Sequence, residues 1–234
     1  IISATLKAQR LLTDNSEQIT DVFIYSAGCS SPELNKVVEK ALRTVFVKAN
    51  ILVDHDVLGA ALAACQGEEG VACILGTGSN SCYYDGETVY EEIPSLAYIL
   101  GDEGSGSWYG KQVLRDYLYK LEMPEGLRQK LLDQGHTKDS ILDNIYMQEH
   151  ANVYIASFMK TISEFRDTDY VKNMVHEGMR AFLVRHVCCF EKHKEVPANF
   201  VGSIAYYFQD ILKEEAAKLG ITIGSVIKKP IDGL

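Results

Sequence analysis

The sequence lacks long apolar runs and is poor in basic residues, and both absences exclude classes of protein. No run of about 18 apolar residues occurs that could span a bilayer as a helix. The 23 lysines and arginines are outnumbered by 32 aspartates and glutamates, which gives a net charge of −9. A general nucleic-acid binder needs clustered basic side chains to displace counterions, so this balance argues against one. We therefore expect neither a nucleic-acid partner nor a membrane partner.

Metal-ligand spacing is also absent from the cysteines, which lie mostly among apolar residues. The sequence has six of them: Cys29, Cys65, Cys73, Cys82, Cys188 and Cys189. Cysteines of this kind are typical of reduced thiols inside the cell. The pattern predicts a cytoplasmic protein and assigns no residue as a metal ligand.

The composition that is present is typical of a globular chain. Of the 234 residues, 47% are hydrophobic and 24% are charged, which suffices for a buried core in one large domain or two small ones. The chain opens with Ile1-Ile2-Ser3, and residues 1–12 resemble the later part of a helix. We therefore expect the natural protein to begin earlier.

The first part of the chain alternates between predicted strands and helices. A β-branched and aromatic run covers Asp21 to Ser26, and a helix with an apolar stripe follows from Ser31-Pro32. Ile51 to Val53 is a second strand, and residues 57–65 form a second helix. This order predicts α/β layering, in which ligands bind at the carboxyl ends of the strands.

Gly67-Glu68-Glu69-Gly70 interrupts this pattern, so we predict an N-terminal lobe over 1–67 and a C-terminal lobe over 68–234. Residues 125–195 are predicted to be mostly helical, as an insert within the second lobe. The other predicted elements of this lobe are strands at 71–75, 81–84, 88–90, 200–201 and 221–227, and helices at 104–121, 169–193 and 203–219.

Gly76-Thr77-Gly78-Ser79-Asn80 follows a predicted strand and could bind phosphate. Glycines let the backbone approach an anion without hindrance from a Cβ atom. Amide N–H groups, together with the hydroxyls of Thr77 and Ser79, can then point at phosphate oxygens. A plain hairpin turn is the alternative interpretation of this segment taken alone.

Gly101-Asp102-Glu103-Gly104-Ser105-Gly106 places two carboxylates between glycines, just before a predicted helix. Carboxylates in such a loop can accept hydrogen bonds from the hydroxyls of a polyol. A helix-capping cluster, with acids near the positive end of the helix dipole, is the alternative.

Asp56 follows the second predicted strand, with Asp54 two residues before it. An aspartate in this place can act as general base toward a substrate hydroxyl and orient it for attack on phosphorus. An N-cap for the helix of residues 57–65 is the alternative, and the two roles are compatible.

Gly202-Ser203-Ile204-Ala205 is a turn of small residues between a strand and a helix. Such a turn lets a planar ring or a phosphate approach the helix N-terminus. Close packing between helix and strand explains the same residues.

Taken together, these segments resemble the BadF/BadG/BcrA/BcrD-type ATPase family, on its N-acetylglucosamine kinase branch within the actin-like sugar kinase superfamily. The resemblance runs from about Val22 to Leu234. It is carried by Ala27-Gly28-Cys29, Asp56 to Ala61, Leu75 to Asn80, Tyr98 to Gly106 and Val201 to Ala205.

The resemblance implies an α/β, two-lobed actin-like ATPase (ribonuclease H-like) fold, with ATP and Mg²⁺ in the cleft between lobes and closure on sugar binding. It implies phosphorylation of an amino sugar or hexose, above all of N-acetylglucosamine to its 6-phosphate. Asp56 matches the general base, and Asp102 matches a carboxylate that binds sugar hydroxyls. The other matching positions are Gly76, Thr77, Gly78, Ser79, Gly202 and Ser203 at the nucleotide, and Thr77, Gly78 and Asn80 at the sugar and terminal phosphate.

Two departures from the family pattern bear on the substrate and the nucleotide site. The family's first phosphate loop, an Asp-x-Gly-x-Thr hairpin, is not among these residues, in keeping with the expected missing start. Pro94-Ser95-Leu96-Ala97 stands where the sugar kinases carry a glycine-rich stretch near the N-acetyl pocket, so the identity of the sugar stays open.

Two other functions stay open at this stage. One is an ATPase activator of an acyl-CoA dehydratase or reductase, although Cys73 does not stand in the loop pattern of those proteins and Cys188-Cys189 is predicted to lie in mid-helix. The other is a sugar sensor without turnover. The sequence does not determine the oligomeric state, and a homodimer is among the alternatives.

Overall fold

The computed structural model describes residues 16–29 and 31–234 of the chain. The helix expected over residues 1–12 lies outside the described residues. The chain divides into two compact units, Ile1–Gly59 and Ala60–Leu234, and each is described here by itself. The lobe boundary that the sequence places between residues 67 and 68 stays a prediction.

The first unit contains two parallel strands and a helix, as the sequence predicts. Strand β1 covers Asp21–Tyr25, helix α1 covers Pro32–Arg43 and strand β2 covers Asn50–Asp54. The Ser31 hydroxyl caps α1 by accepting the Leu34 N–H at 3.3 Å, which confirms the predicted helix start. Helix α2, Asp56–Cys65, begins in this unit and continues into the next.

The apolar stripe predicted along α1 is only partly buried. Leu42, Val45 and Phe46 form a core cluster with Ala49, on the side that faces the sheet. Leu34 and Val37 are exposed instead. The sheet has two strands among the described residues of this unit, so it covers only one edge of the helical stripe.

The second unit is built on a five-stranded mixed sheet with the order β5-β4-β3-β6-β7. Its strands are β3 (Gly70–Leu75), β4 (Ser79–Tyr84), β5 (Val89–Tyr90), β6 (Ala198–Val201) and β7 (Ile223–Ile227). β3 pairs with β4 in antiparallel fashion and with β6 in parallel fashion, and β7 is parallel to β6. β3 is buried at five of its six positions, because helices and neighbouring strands cover it.

Helices supply most of the core of this unit. They are α3 (Ala97–Leu100), α4 (Gly106–Leu118), α5 (Glu125–Asp133), α6 (Lys138–Tyr146), α7 (Ala151–Ser157), α8 (Met159–Ser163), α9 (Asp169–Phe182), α10 (Ser203–Tyr207) and α11 (Gln209–Leu219). Tyr109 on α4, Phe182 on α9 and Phe200 on β6 are fully buried in one continuous cluster. α4 and α9 therefore hold the segment before α4 against the sheet.

Two predicted helices are shorter than the sequence suggests. The helix predicted over 169–193 changes at Phe182 into a π-helix, Leu183–Val187, in which the Cys188 N–H donates to the Leu183 carbonyl at 2.9 Å. Turns follow it, so Cys188 and Cys189 lie past the helix rather than within it. The helix predicted over 203–219 is broken at Phe208, whose φ of −117° and ψ of 28° are not helical.

The cysteines are free thiols, as predicted. Cys29, Cys65, Cys73 and Cys82 are buried, and Cys188 and Cys189 are half-buried. Among residues 16–29 and 31–234, no helix is both long enough and apolar enough to cross a membrane.

Candidate active site

The turn between β3 and β4 is formed by Gly76, Thr77 and Gly78. Leu75 pairs with Ser79 across the hairpin, and the Gly76 N–H donates to the Gly78 carbonyl at 3.0 Å. The second strand therefore starts at Ser79, two residues earlier than predicted, because the turn closes within three residues.

Helix α4 begins against this turn and donates hydrogen bonds to its carbonyl groups. The Gly106 N–H donates to the Gly76 carbonyl at 2.8 Å, and the Ser107 N–H donates to the Thr77 carbonyl at 3.0 Å. In a trans peptide the C=O and the next N–H point in opposite directions. The N–H groups of Thr77 and Gly78 therefore point away from α4, and within the described residues neither has a hydrogen-bond partner.

The Asp102 carboxylate lies against the end of this turn. Its Oδ1 accepts the Ser79 N–H at 3.3 Å, and its Oδ2 accepts the Ser107 hydroxyl at 3.4 Å. Its φ of +58° is in the left-handed region, where aspartate is tolerated better than most residues. Burial raises the pKa of the Asp102 carboxyl, and these hydrogen bonds oppose that rise. The structure thus brings Asp102 into contact with two residues of the predicted phosphate loop, Gly78 and Ser79.

The capping role proposed as the alternative for the acidic loop belongs to another residue. The Ser105 hydroxyl accepts the Trp108 N–H at 3.2 Å and caps α4. It also shares a hydrogen bond of 3.0 Å with the Ser107 hydroxyl, which in turn donates to Asp102. A helix cap is therefore present in the acidic loop itself, supplied by Ser105 and linked through Ser107 to Asp102.

A cavity of about 560 Å³ opens beside Asp102. Its lining combines apolar residues with charged and polar ones. Its lining residues are Ile93, Pro94, Leu96, Leu100, Gly101, Asp102, Glu103, Arg185 and His186. Sequence analysis missed Arg185 and His186, because no local pattern links them to a loop that precedes them by about 80 residues.

Gly202 and Ser203 form the turn between β6 and α10. The Gly202 N–H donates to the Ile227 carbonyl at 3.0 Å, and its φ is +129°. A Cβ on Gly202 would lie 2.2 Å from the Leu75 carbonyl oxygen, so this turn lies against the end of β3. Ser203 is exposed at the start of α10.

Ser79 and Asn80 differ in what their side chains do. The Ser79 hydroxyl is buried and has no hydrogen-bond partner among the described residues. The Asn80 Oδ1 accepts the Ser81 N–H at 2.9 Å, and Asn80 is half-buried on β4. Thr77 is exposed at the tip of the turn.

Asp56 is the first residue of α2 and belongs to the first unit. Burial raises the pKa of its carboxyl, while the Val57 N–H and His55 oppose the rise. The neighbouring Asp54 is occupied locally, since its Oδ1 accepts the His55 N–H at 2.8 Å. In residues 16–29 and 31–234, no cluster of three or more His, Cys, Asp or Glu side chains could hold a metal ion.

Comparisons with known proteins show the fold and the family. No family model matches the sequence, and none of the curated proteins does. The putative N-acetylglucosamine kinase from Porphyromonas gingivalis is 36% identical, with a TM-score of 0.92, and the match covers 99% of this chain and 82% of that one. The putative N-acetylglucosamine kinase from Chromobacterium violaceum has a TM-score of 0.61 at 16% identity, covering 99% and 85%. The hexokinase from Schistosoma mansoni complexed with glucose has a TM-score of 0.54 at 15% identity, covering 99% and 72%.

The mixed α/β structure is therefore the actin-like fold of sugar kinases, which confirms the predicted fold class. At 36% identity over nearly its whole length, the chain belongs to the family of the Porphyromonas gingivalis protein.

Proposed function

We propose that this protein transfers the terminal phosphoryl group of ATP to a sugar, with N-acetylglucosamine as the substrate and the 6-phosphate as the product. Membership in the family of a putative N-acetylglucosamine kinase supports this proposal. The motifs Leu75 to Asn80 and Tyr98 to Gly106 support the BadF/BadG branch of the superfamily.

The observation that carries the proposal is the contact between the turn and Asp102. The Thr77 and Gly78 N–H groups and the Thr77 hydroxyl have no partner among the described residues and suit phosphate oxygens. A few ångströms away, the Asp102 carboxylate is held by Ser79 and Ser107 and suits sugar hydroxyls. One hairpin thus offers donors for a phosphoryl group next to an acceptor for a sugar.

The remaining candidate residues take roles that the resemblance supplies. Asp56 acts as general base, and its carboxylate accepts the proton of the attacking hydroxyl. Asn80 binds near the sugar and terminal phosphate, while Gly76, Ser79, Gly202 and Ser203 serve the nucleotide. Mg²⁺ carried by the ATP phosphates offsets their negative charge.

Burial matters to this chemistry because phosphoryl transfer is mostly positioning and electrostatics. Asp102 is 7% exposed, so its hydrogen bonds to a sugar would form with little competition from water. A kinase whose site admits water acts as an ATPase, so closure around the sugar is part of the proposal.

The test is ADP release by the full-length protein with Mg²⁺ present, measured with glucosamine, N-acetylglucosamine, N-acetylmuramic acid and glucose. Stimulation by N-acetylglucosamine above the other sugars is the expected result. Stimulation by a different sugar would support the kinase activity and show that the substrate is that sugar instead. Slow ATP hydrolysis without response to any sugar overturns the proposal and favours the activator, for which iron analysis after anaerobic purification is the next measurement. Sugar binding without ADP release favours the sensor.

A further inference from the structure

Glu103 is a second carboxylate in the cavity beside Asp102. It lines the cavity together with Arg185 and His186. Its Oε2 lies 3.4 Å from Nε2 of His186, and its Oε1 lies 3.4 Å from Nε of Arg185. An ionised carboxylate offers about four acceptor positions, so both oxygens keep acceptor capacity for a ligand in the cavity.

His186 is a polar residue whose position is fixed by packing and hydrogen bonds. It is 5% exposed, and its ring stacks on Phe182 with centroids 4.9 Å apart and planes 13° apart. Its backbone carbonyl accepts the Ser81 hydroxyl at 2.6 Å, which anchors the π-helix to β4. A buried imidazole held by these contacts can fix the orientation of the side chain that it contacts, which is Glu103.

The groups around the His186 imidazole determine which ring nitrogen carries the hydrogen. Glu103 can only accept, so Nε2 of His186 carries the hydrogen that points to it. Burial lowers the pKa of His186, which favours the neutral ring. Nδ1 is then an acceptor, and it is buried without a hydrogen-bond partner among the described residues. A buried unpaired polar atom in the wall of a cavity is costly unless a ligand or water satisfies it.

We propose that Glu103 is a second sugar-binding carboxylate, which contacts a hydroxyl or amide N–H of the substrate, and that His186 is the positioning residue that fixes its orientation. This inference rests on the proposed function. It adds a second acceptor to a cavity that Pro94 and Leu96 also line.

The test uses steady-state kinetics of the full-length protein with the sugar that stimulates ADP release most. Glu103→Gln keeps the shape and removes the charge, so the KM for sugar should rise about tenfold or more. Because this contact acts in the ground state as well as in the transition state, kcat and the KM for ATP should change by less than about twofold.

His186 is tested by a pair of variants. His186→Ala removes the donor to Glu103 and should raise the KM for sugar as much as Glu103→Gln does. Gln places an amide N–H close to the position of Nε2, so His186→Gln should recover most of the wild-type KM. The double variant with Glu103→Gln should be no worse than either single variant, since both act through one contact.

The chain offers a control pair of the same two residue types, with its histidine in the middle of α9. Nδ1 of His176 lies 2.7 Å from Oε1 of Glu215, between α9 and α11, and neither residue lines the cavity. His176→Ala and His176→Gln should leave the KM for sugar unchanged. Thermal melting of all variants separates a loss of folding from a loss of binding.

Analogues that each lack one hydroxyl, together with one that lacks the 2-acetamido group, identify the contacted group. One analogue should bind equally to wild type and Glu103→Gln, because it lacks the group that Glu103 contacts. An unchanged KM for sugar in Glu103→Gln overturns the inference and leaves the kinase intact. A KM that rises equally for every analogue also overturns it, since it indicates a structural role. Failure of every sugar with the wild-type protein overturns the proposed function itself.

Discussion

Gly202 lies against the carbonyl of Leu75 so closely that a Cβ on Gly202 would be 2.2 Å from that oxygen. Leu75 ends β3, directly before the turn in which the Thr77 and Gly78 N–H groups have no partner among the described residues, and Gly202 follows the parallel strand β6. The two loops proposed to serve the nucleotide can therefore lie next to each other because Gly202 has no side chain. Close packing is the alternative explanation that the sequence offers for a glycine at this position. The contact between Gly202 and Leu75 is such close packing, and it needs no ligand.

Gly202→Ala should destabilise the protein strongly. The new methyl group would collide with backbone, which cannot move aside as a flexible side chain can, and the φ of +129° disfavours alanine. We expect a loss of more than about 2 kcal/mol and a melting temperature lower by about 5 °C or more. Differential scanning calorimetry or circular dichroism measures it.

Gly220→Ala is the matched control for that variant. Gly220 has a φ of +71°, but a Cβ there would meet no atom within 4 Å. The free energy of unfolding of this variant should fall by only about 1 kcal/mol, the cost of placing alanine in the left-handed backbone region. Equal melting temperatures for the two variants would show that the contact with Leu75 is unimportant.

Gly78→Ala should weaken sugar binding through Asp102. A Cβ on Gly78 would lie 2.8 Å from Oδ2 of Asp102, so the carboxylate must shift away from its bonds to Ser79 and Ser107. We expect the KM for sugar to rise about tenfold, which corresponds to about 1.4 kcal/mol. Kinetics with sugar varied at saturating ATP provides the measurement.

Gly76→Ala serves as the stability control, since a Cβ there has open space around it. It should melt at or above the wild-type temperature, while Gly78→Ala melts below it. Wild-type melting and wild-type sugar KM in Gly78→Ala would contradict the tight contact with Asp102.

Asp102→Asn should weaken sugar binding and yet stabilise the protein at neutral pH. Burial raises the pKa of Asp102 above its ordinary value of 3.8, so the folded state holds the proton more tightly than the unfolded state. The stability that this carboxyl contributes is complete below 3.8 and is lost as the pH rises through the raised pKa. The uncharged amide escapes that loss.

The melting temperature of Asp102→Asn relative to wild type should therefore increase as the pH is raised from below 3.8 to neutral. Thermal melts across this range, with isothermal titration calorimetry of the sugar at neutral pH, check both halves of the prediction. A difference in melting temperature that is independent of pH would show that the carboxyl has no raised pKa.

Asp56→Asn should fold normally and lose nearly all phosphoryl transfer. Removal of a general base costs about 10² to 10⁴ in kcat. Burial raises the pKa of Asp56, so the neutral amide should not reduce stability. ADP release under saturating substrates is the measurement.

Asp54→Asn is the control for this position. The Asp54 oxygen that accepts the His55 N–H is retained as an amide oxygen, so kcat should stay within about threefold of wild type. Activity preserved in Asp56→Asn, or lost equally in both variants, would remove Asp56 as the base.

Local patterns were enough to predict the elements that surround the candidate site. The apolar run from Val71 to Leu75 and the glycines of the turn that follows it each fix the chain through their own backbone preferences. Ser31 before α1 and Pro32 at its first position act in the same way. These preferences act over a few residues, which is why they are legible in the sequence.

Contacts that join distant parts of the chain were not predictable in this way. The docking of the turn carbonyls on the Gly106 and Ser107 N–H groups depends on how α4 packs against the sheet. The meeting of Glu103 with His186 depends on where a π-helix replaces an α-helix, and side-chain periodicity does not reveal that change. The roles given to Asp56 and Ser203 stay predictions from the family resemblance.

The position of the single tryptophan has a practical consequence. The sequence contains one tryptophan beside 13 tyrosines. Trp108 is half-buried, stands edge-on to Tyr109 with centroids 5.2 Å apart, and receives its cap from Ser105, which is linked through Ser107 to Asp102. Selective excitation of this indole gives an emission that originates directly beside Ser107, in the serine network that reaches Asp102. The chain thus carries an intrinsic fluorescent reporter for ligands that reach Asp102, and titrations can follow them without a label or a coupled enzyme.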